Sequence, residues 1–176
     1  MRRLGIFLVV TLLATGALAA SAVASPPADQ NFIAILTGDN EVPANDTLAR
    51  GVAVFRLSDD GASLSYRLIV ANIDNVVASH IHVAPAGVNG AVVAFLAGPF
   101  PAGGGRTDGV LAEGTITAAS LVGPLAGQPF ATLVAALNTG NAYVNVHTND
   151  GVAPVNTGPG DFPGGEVRGQ IRANGP

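Results

Sequence analysis

The stretch GVAVFRLSDDGASLSYRLIVA, residues 51–71, decides the fold. Its two arms, 51–57 and 63–71, are rich in β-branched and aromatic residues and flank Asp59-Asp60-Gly61. Two such runs around a Gly-containing turn read as a β-hairpin. In the second arm Leu64, Tyr66, Leu68 and Val70 recur at every second residue, the period at which strand side chains return to one face. The same pattern extends outward. Strands are predicted over 32–36, ended by Thr37-Gly38-Asp39-Asn40, and over 76–83, closed by Pro85-Ala86-Gly87 and Asn89-Gly90. Others follow over 91–96, 110–116, 142–148 and 166–172, with Gly/Pro-rich surface loops over 98–109 and 149–165. One helix interrupts them over 129–138: Pro129 suits a first helical position, Phe130, Leu133, Val134 and Leu137 keep helical spacing, and Asn138-Thr139-Gly140 stops it. About eight strands at this spacing predict an all-β fold, an antiparallel two-sheet β-sandwich of Greek-key type with one short helix.

The N-terminus reads as an export signal. Met1-Arg2-Arg3 is positive, Leu4 to Leu13 is almost wholly apolar, and small residues lead to Ala22-Val23-Ala24 before Ser25-Pro26-Pro27. Gly16 breaks the apolar run, which falls short of the roughly 20 residues a spanning helix needs. Cleavage is expected after Ala24, with Ala19 the alternative, by the general secretory route into the periplasm or medium. The expected organisation is a signal peptide over 1–24, a linker over 25–31, one β-domain over 32–173 and a tail over 174–176, with no integral membrane segment after cleavage. The chain has no cysteine, which removes disulfides, thiolate metal sites and cysteine nucleophiles. All eight basic residues are arginines and two of them lie in the leader, so the domain is more acidic than the net −4 of the whole chain. A nucleic-acid partner requires a basic footprint, which is missing.

The chemistry concentrates in three histidines. On a strand, positions i and i+2 share a face about 6.5–7 Å apart, so His80 and His82 point the same way with Ile81 opposite. On the predicted strand 142–148, Tyr143, Asn145 and His147 share a face. If the two strands are neighbours, His80, His82 and His147 converge on one ion. Neutral imidazole suits copper or zinc, and three such ligands leave an open position. Affinity is expected to fall as pH drops through about 6.5, the ordinary histidine value. The competing reading is that the imidazoles hydrogen-bond backbone and loop groups and fix the turn over 85–90.

Glu166 and Arg168 share a predicted strand face and are expected to form a structural ion pair or to bind a nearby polar group. Asp39 and Glu41 lack the ligand array of a calcium loop. Gly103-Gly104-Gly105 lacks the lysine and strand–helix context of a phosphate cradle. Asn45-Asp46-Thr47 is a glycosylation sequon by pattern alone, and no serine sits in a nucleophile elbow.

Four words, in order, resemble the chordin-type CHRD domain family. They are 36–43 (LTGDNEVP), Ser79-His80-Ile81-His82 with 86–90 (AGVNG), 143–148 (YVNVHT) and 165–171 (GEVRGQI). The resemblance spans about 32–173 and implies a secreted β-sandwich module, found singly in microbial proteins, without a defined activity. The His-x-His and Gly-Glu-Val-Arg-Gly words also resemble copper–zinc superoxide dismutase, a β-sandwich enzyme. Three histidines cannot supply that enzyme's two-metal ligand set, and its cysteines are missing. Three functions follow as expectations. The first is a non-catalytic exported module with a three-histidine copper or zinc site. The second is a metal-dependent redox enzyme using the same histidines. The third is an adhesion or matrix module whose loops bind an extracellular protein or polysaccharide.

Overall fold

The computed structural model describes residues 31–174, so the predicted leader, most of the linker and the last two residues lie outside it. Nine strands follow in chain order: β1 (Asn31–Thr37), β2 (Arg50–Leu57), β3 (Ser63–Asp74), β4 (Val76–Val83), β5 (Ala91–Ala97), β6 (Arg106–Thr117), β7 (Ala142–Thr148), β8 (Val167–Gln170) and β9 (Arg172–Ala173). One helix, α1 (Phe130–Asn138), precedes β7. All strand pairs are antiparallel, in the order β5-β4-β7-β8-β1-β2-β3-β6, with β9 also on β1.

The decisive hairpin forms as read. Leu57 pairs with Leu64, and Asp60 Oδ1 accepts from Ser58 Oγ at 2.6 Å and from the Ala62 amide at 3.0 Å. Phe55, Leu64, Leu68 and Val70 are buried, joining Phe32, Ala34, Leu36, Ile81, Val144, Val146 and Val167 in one core inside the curved sheet. Each large aliphatic side chain removed from water there contributes roughly 1.5–3 kcal/mol. In α1 the four apolar residues at helical spacing are the buried ones, and Pro129 stands one residue before the helix, as its N-cap.

The all-β, antiparallel expectation holds, with one difference of arrangement: the strands form one continuous, nearly closed, barrel-like sheet where two sheets were expected. The reason lies in the final run, predicted as a single strand over 166–172. It breaks at Ile171, whose amide donates to the Ala142 carbonyl at 2.8 Å. Its first part, β8, pairs with β7 and touches β1 through Thr37 and Arg168, while β9 pairs with Phe32 and Ile33 of β1. One segment thereby joins the two halves. The gap between the two ends of the sheet is bridged by the Tyr66 hydroxyl of β3, the strand beside the end strand β6, which donates to the Leu96 carbonyl of the other end strand, β5, at 2.8 Å. β3 and β6 also run further than expected. Register shifts carry the ladder past Asn72, at φ 60°, to Ile73 opposite Thr107, which shortens the Gly/Pro-rich loop.

Gly169 sits at the tightest point of this join. A Cβ there would collide with the backbone carbonyl of Ile35. Gly169→Ala should lower stability by about 1–3 kcal/mol, as overpacking against backbone does. Gly164→Ala, where a Cβ meets nothing within 4 Å, should stay within about 0.5 kcal/mol. Urea unfolding of the two variants measures the contrast.

Candidate metal centre

β4 and β7 are neighbours, with Ala78 opposite His147, His80 opposite Asn145 and His82 opposite Tyr143. Period-two alternation turns Ile81, Val144 and Val146 into the core. It leaves His80, His82, Tyr143, Asn145 and His147 on the outer face. β5 shifts register twice against β4, once just before His80 and once between Ile81 and His82, and brings Phe95 opposite His80. Bulges of this kind re-aim side chains beside functional sites. The Phe95 and His80 rings meet edge to face with centroids 4.9 Å apart.

The three imidazoles converge as the strand spacing predicts: one nitrogen from each of His80, His82 and His147 lies within 4.8 Å of the others. It is the group of three or more metal-capable side chains found among the described residues. Two rings are held by carbonyls. His82 Nδ1 lies 2.9 Å from the Gly90 carbonyl oxygen and His147 Nδ1 lies 2.9 Å from that of Pro163. A carbonyl only accepts, so in both neutral rings Nδ1 carries the proton and Nε2 keeps its lone pair. His80 Nδ1 sits 3.1 Å from His147 Nε2 and donates to it. His82 Nε2 is buried without a hydrogen-bond partner. Backbone carbonyls on the outer nitrogen are the usual device for orienting a ligating imidazole.

All three rings prefer the neutral form. Burial pulls His80 down to about 4, helped by the neighbouring His147 and His82. Burial also lowers His82 and His147, against their carbonyl hydrogen bonds, which act the other way.

Around this cluster lies a polar seam that the sequence reading did not resolve. Arg168 is buried; its guanidinium donates to Asn89 Oδ1 at 3.1 Å, to the Val88 carbonyl at 2.9 Å and to that of Pro85 at 3.4 Å, and lies 3.4 Å above the Tyr143 ring. Tyr143 stacks on His82 with centroids 4.8 Å apart and planes 9° from parallel. Glu166 does not take the expected ion pair with Arg168. It lies in the bend before β8, where its carboxylate accepts from Thr47 Oγ1 at 2.5 Å, Thr148 Oγ1 at 2.6 Å and the Gly160 amide at 3.0 Å. The carboxyl electrostatically coupled to Arg168 is Glu41, which burial nevertheless pushes up to about 7. Asp39 is exposed while Glu41 is buried, so the two do not form a shared carboxylate site. The sequon amide of Asn45 is engaged internally, donating to the Glu166 carbonyl at 3.0 Å.

A nearly closed antiparallel β-domain with a three-imidazole cluster under its surface loops defines the class of molecule. The chain belongs to the CHRD domain family, whose model matches residues 32–171. No curated protein and no solved structure matches it.

Two outcomes follow. The depressed histidines bind protons less readily in the folded than in the unfolded chain, so their contribution to stability is lost as pH falls below about 6.5, for His80 down to about 4. Glu41 acts oppositely, its contribution being lost as pH rises toward 7. NMR titration should therefore place His80 near 4, and stability in a Glu41→Gln background should fall with acidification across that window. Glu166→Gln sets an amide donor against three donors and should cost about 1.5–3 kcal/mol in thermal or urea unfolding, the loss of one charge-assisted hydrogen bond.

Proposed function

We propose that this chain is an exported CHRD-domain module that binds one transition-metal ion, copper or zinc, through His80, His82 and His147, without catalysing a reaction. The observation that carries the reading is the pinning of two rings. The Gly90 and Pro163 carbonyls hold His82 and His147 in the tautomer that turns Nε2 inward, and His82 Nε2 has no other partner. An imidazole that merely supported the turn would have no reason to bury its Nε2 lone pair without a donor, as His82 does. Ligation through His80 Nδ1, the nitrogen that faces His147, moves its proton to Nε2, a tautomer change that neutral imidazole makes without a net charge change.

Export rests on the leader-like residues 1–24 and on the family, and no helix among the described residues is long and apolar enough to cross a membrane. Against an enzyme stands the cover over His82, which the 85–90 turn leaves only 7% exposed, while His80 and His147 are half-buried. An adhesion role draws on a separate feature, the exposed apolar side chains Val88, Phe100, Val152 and Val155 on the loops. Their binding a protein or polysaccharide is compatible with a metal site on the outer face.

Calorimetry of the domain with Cu(II) and Zn(II) at pH 7 should give one ion per chain. Replacing any one histidine with alanine should weaken affinity at least tenfold while the metal-free fold survives. Because burial depresses all three imidazoles, affinity should persist below pH 6.5, lower than unperturbed histidines allow, and fall on further acidification. Absence of stoichiometric uptake at pH 7 would return the histidines to a purely structural role.

A further inference from the structure

Resting on that reading of the histidines, we propose that Asn145 completes the site, its carboxamide oxygen acting as the fourth donor atom to the ion. Asn145 occupies the middle of the outer face. It is flanked across the ladder by His80 on β4 and by Arg168 on β8, and it shares its own strand face with Tyr143 and His147. Its side chain is 3% exposed, and Oδ1 is buried without any hydrogen-bond partner. On the β4–β7 ladder it is the diagonal neighbour of His82, whose direct partner is Tyr143.

The balance of donors and acceptors in this small space explains the assignment. His82 Nε2, His147 Nε2 and Asn145 Oδ1 all present lone pairs, and the His80 Nδ1 proton serves His147 alone. Two buried acceptors, His82 Nε2 and Asn145 Oδ1, remain side by side with nothing to accept from. Leaving such groups unpaired is costly, about 1–3 kcal/mol each. A single cation satisfies both, together with the other two imidazoles. Arg168, the nearby cation, is turned to the 85–90 turn instead and does not serve them. Three imidazole nitrogens and one amide oxygen make a harder donor set than three imidazoles alone, and hard donors favour divalent ions over Cu(I).

Co(II), Zn(II) and Cu(II) binding to the whole domain tests the assignment, with Asn145→Leu and Asn145→Asp as the variants. Leucine is close in size and removes the oxygen; aspartate keeps an oxygen donor and adds charge. Asn145→Leu should weaken Co(II) and Zn(II) at least tenfold and change the visible d–d spectrum of the Co(II) form, while Asn145→Asp binds at least as tightly as the parent. The margin for divalent over Cu(I) binding should narrow in the leucine variant. Parent-like affinity and an unchanged Co(II) spectrum in Asn145→Leu would overturn the assignment while leaving the three-histidine site standing. So would a loss of metal-free stability in the leucine variant with affinity per folded molecule unchanged, or an aspartate variant that binds as weakly as leucine. Failure of the parent domain to take up any of the ions removes the histidine site itself, and this assignment with it.

Discussion

The outer face of this domain is organised by the burial of one charge. Arg168 is 1% exposed, and a guanidinium out of water must find acceptors within the protein. It finds them in the turn after β4: the Pro85 and Val88 carbonyls and Asn89 Oδ1. That draws the turn over the sheet, where Asn89 Nδ2 also donates to the Val42 carbonyl at 2.7 Å. The same turn places the Gly90 carbonyl over His82 and the Gly90 amide against the Tyr143 hydroxyl, at 3.1 Å. The tautomer of His82 therefore follows from where Arg168 goes, while burial keeps its basicity low against the Gly90 hydrogen bond, and Arg168 goes there because β8 lies next to β7.

What could be read from the sequence was what a rigid local period determines. β4 and β7 have the predicted bounds, and alternation alone put His80 with His82 and placed Asn145 beside His147 on one face. Convergence of the two strands was conditional on adjacency, which depends on sheet order and not on either strand. Parity misled at Glu166, since the period-two rule holds only within a strand and Glu166 stands in a bend one residue before β8. The single sheet was hidden for a similar reason. The break at Ile171 serves two neighbouring strands at once, and nothing in the local composition of the 166–172 run marks it. Asn145 was visible by spacing, but its importance lies in a missing partner, and only three-dimensional packing reveals that.

The domain has no disulfide, and buried polar groups supply the loop attachments that cystines often make. Glu166 gathers Thr47, Thr148 and the Gly160 amide from three separate segments, while Asn45 donates to the Glu166 carbonyl. Arg168, two residues on, gathers the 85–90 turn. The charged pair that sequence parity suggested is thus divided between two sets of loops. A carboxylate served by three donors, and a guanidinium served by three acceptors and an aromatic face, are each satisfied without the other.

This division bears on how a metal would act. The carbonyls that orient His82 and His147 belong to Gly90 and Pro163, loop residues held close to groups that Arg168 and Glu166 already fix. The geometry of the three imidazoles is therefore a product of the fold, and the core of Phe32, Leu36, Leu68, Ile81 and Val144 does not include the histidines. A metal bound to such a preorganised site adds stability only by mass action, growing with the logarithm of its free concentration over Kd. In small zinc domains, by contrast, ion binding is itself the folding free energy. An outer-face site on an independently folded sheet would be free to load and unload as the surroundings change, because Arg168 and Glu166 hold the loops above it without the ion.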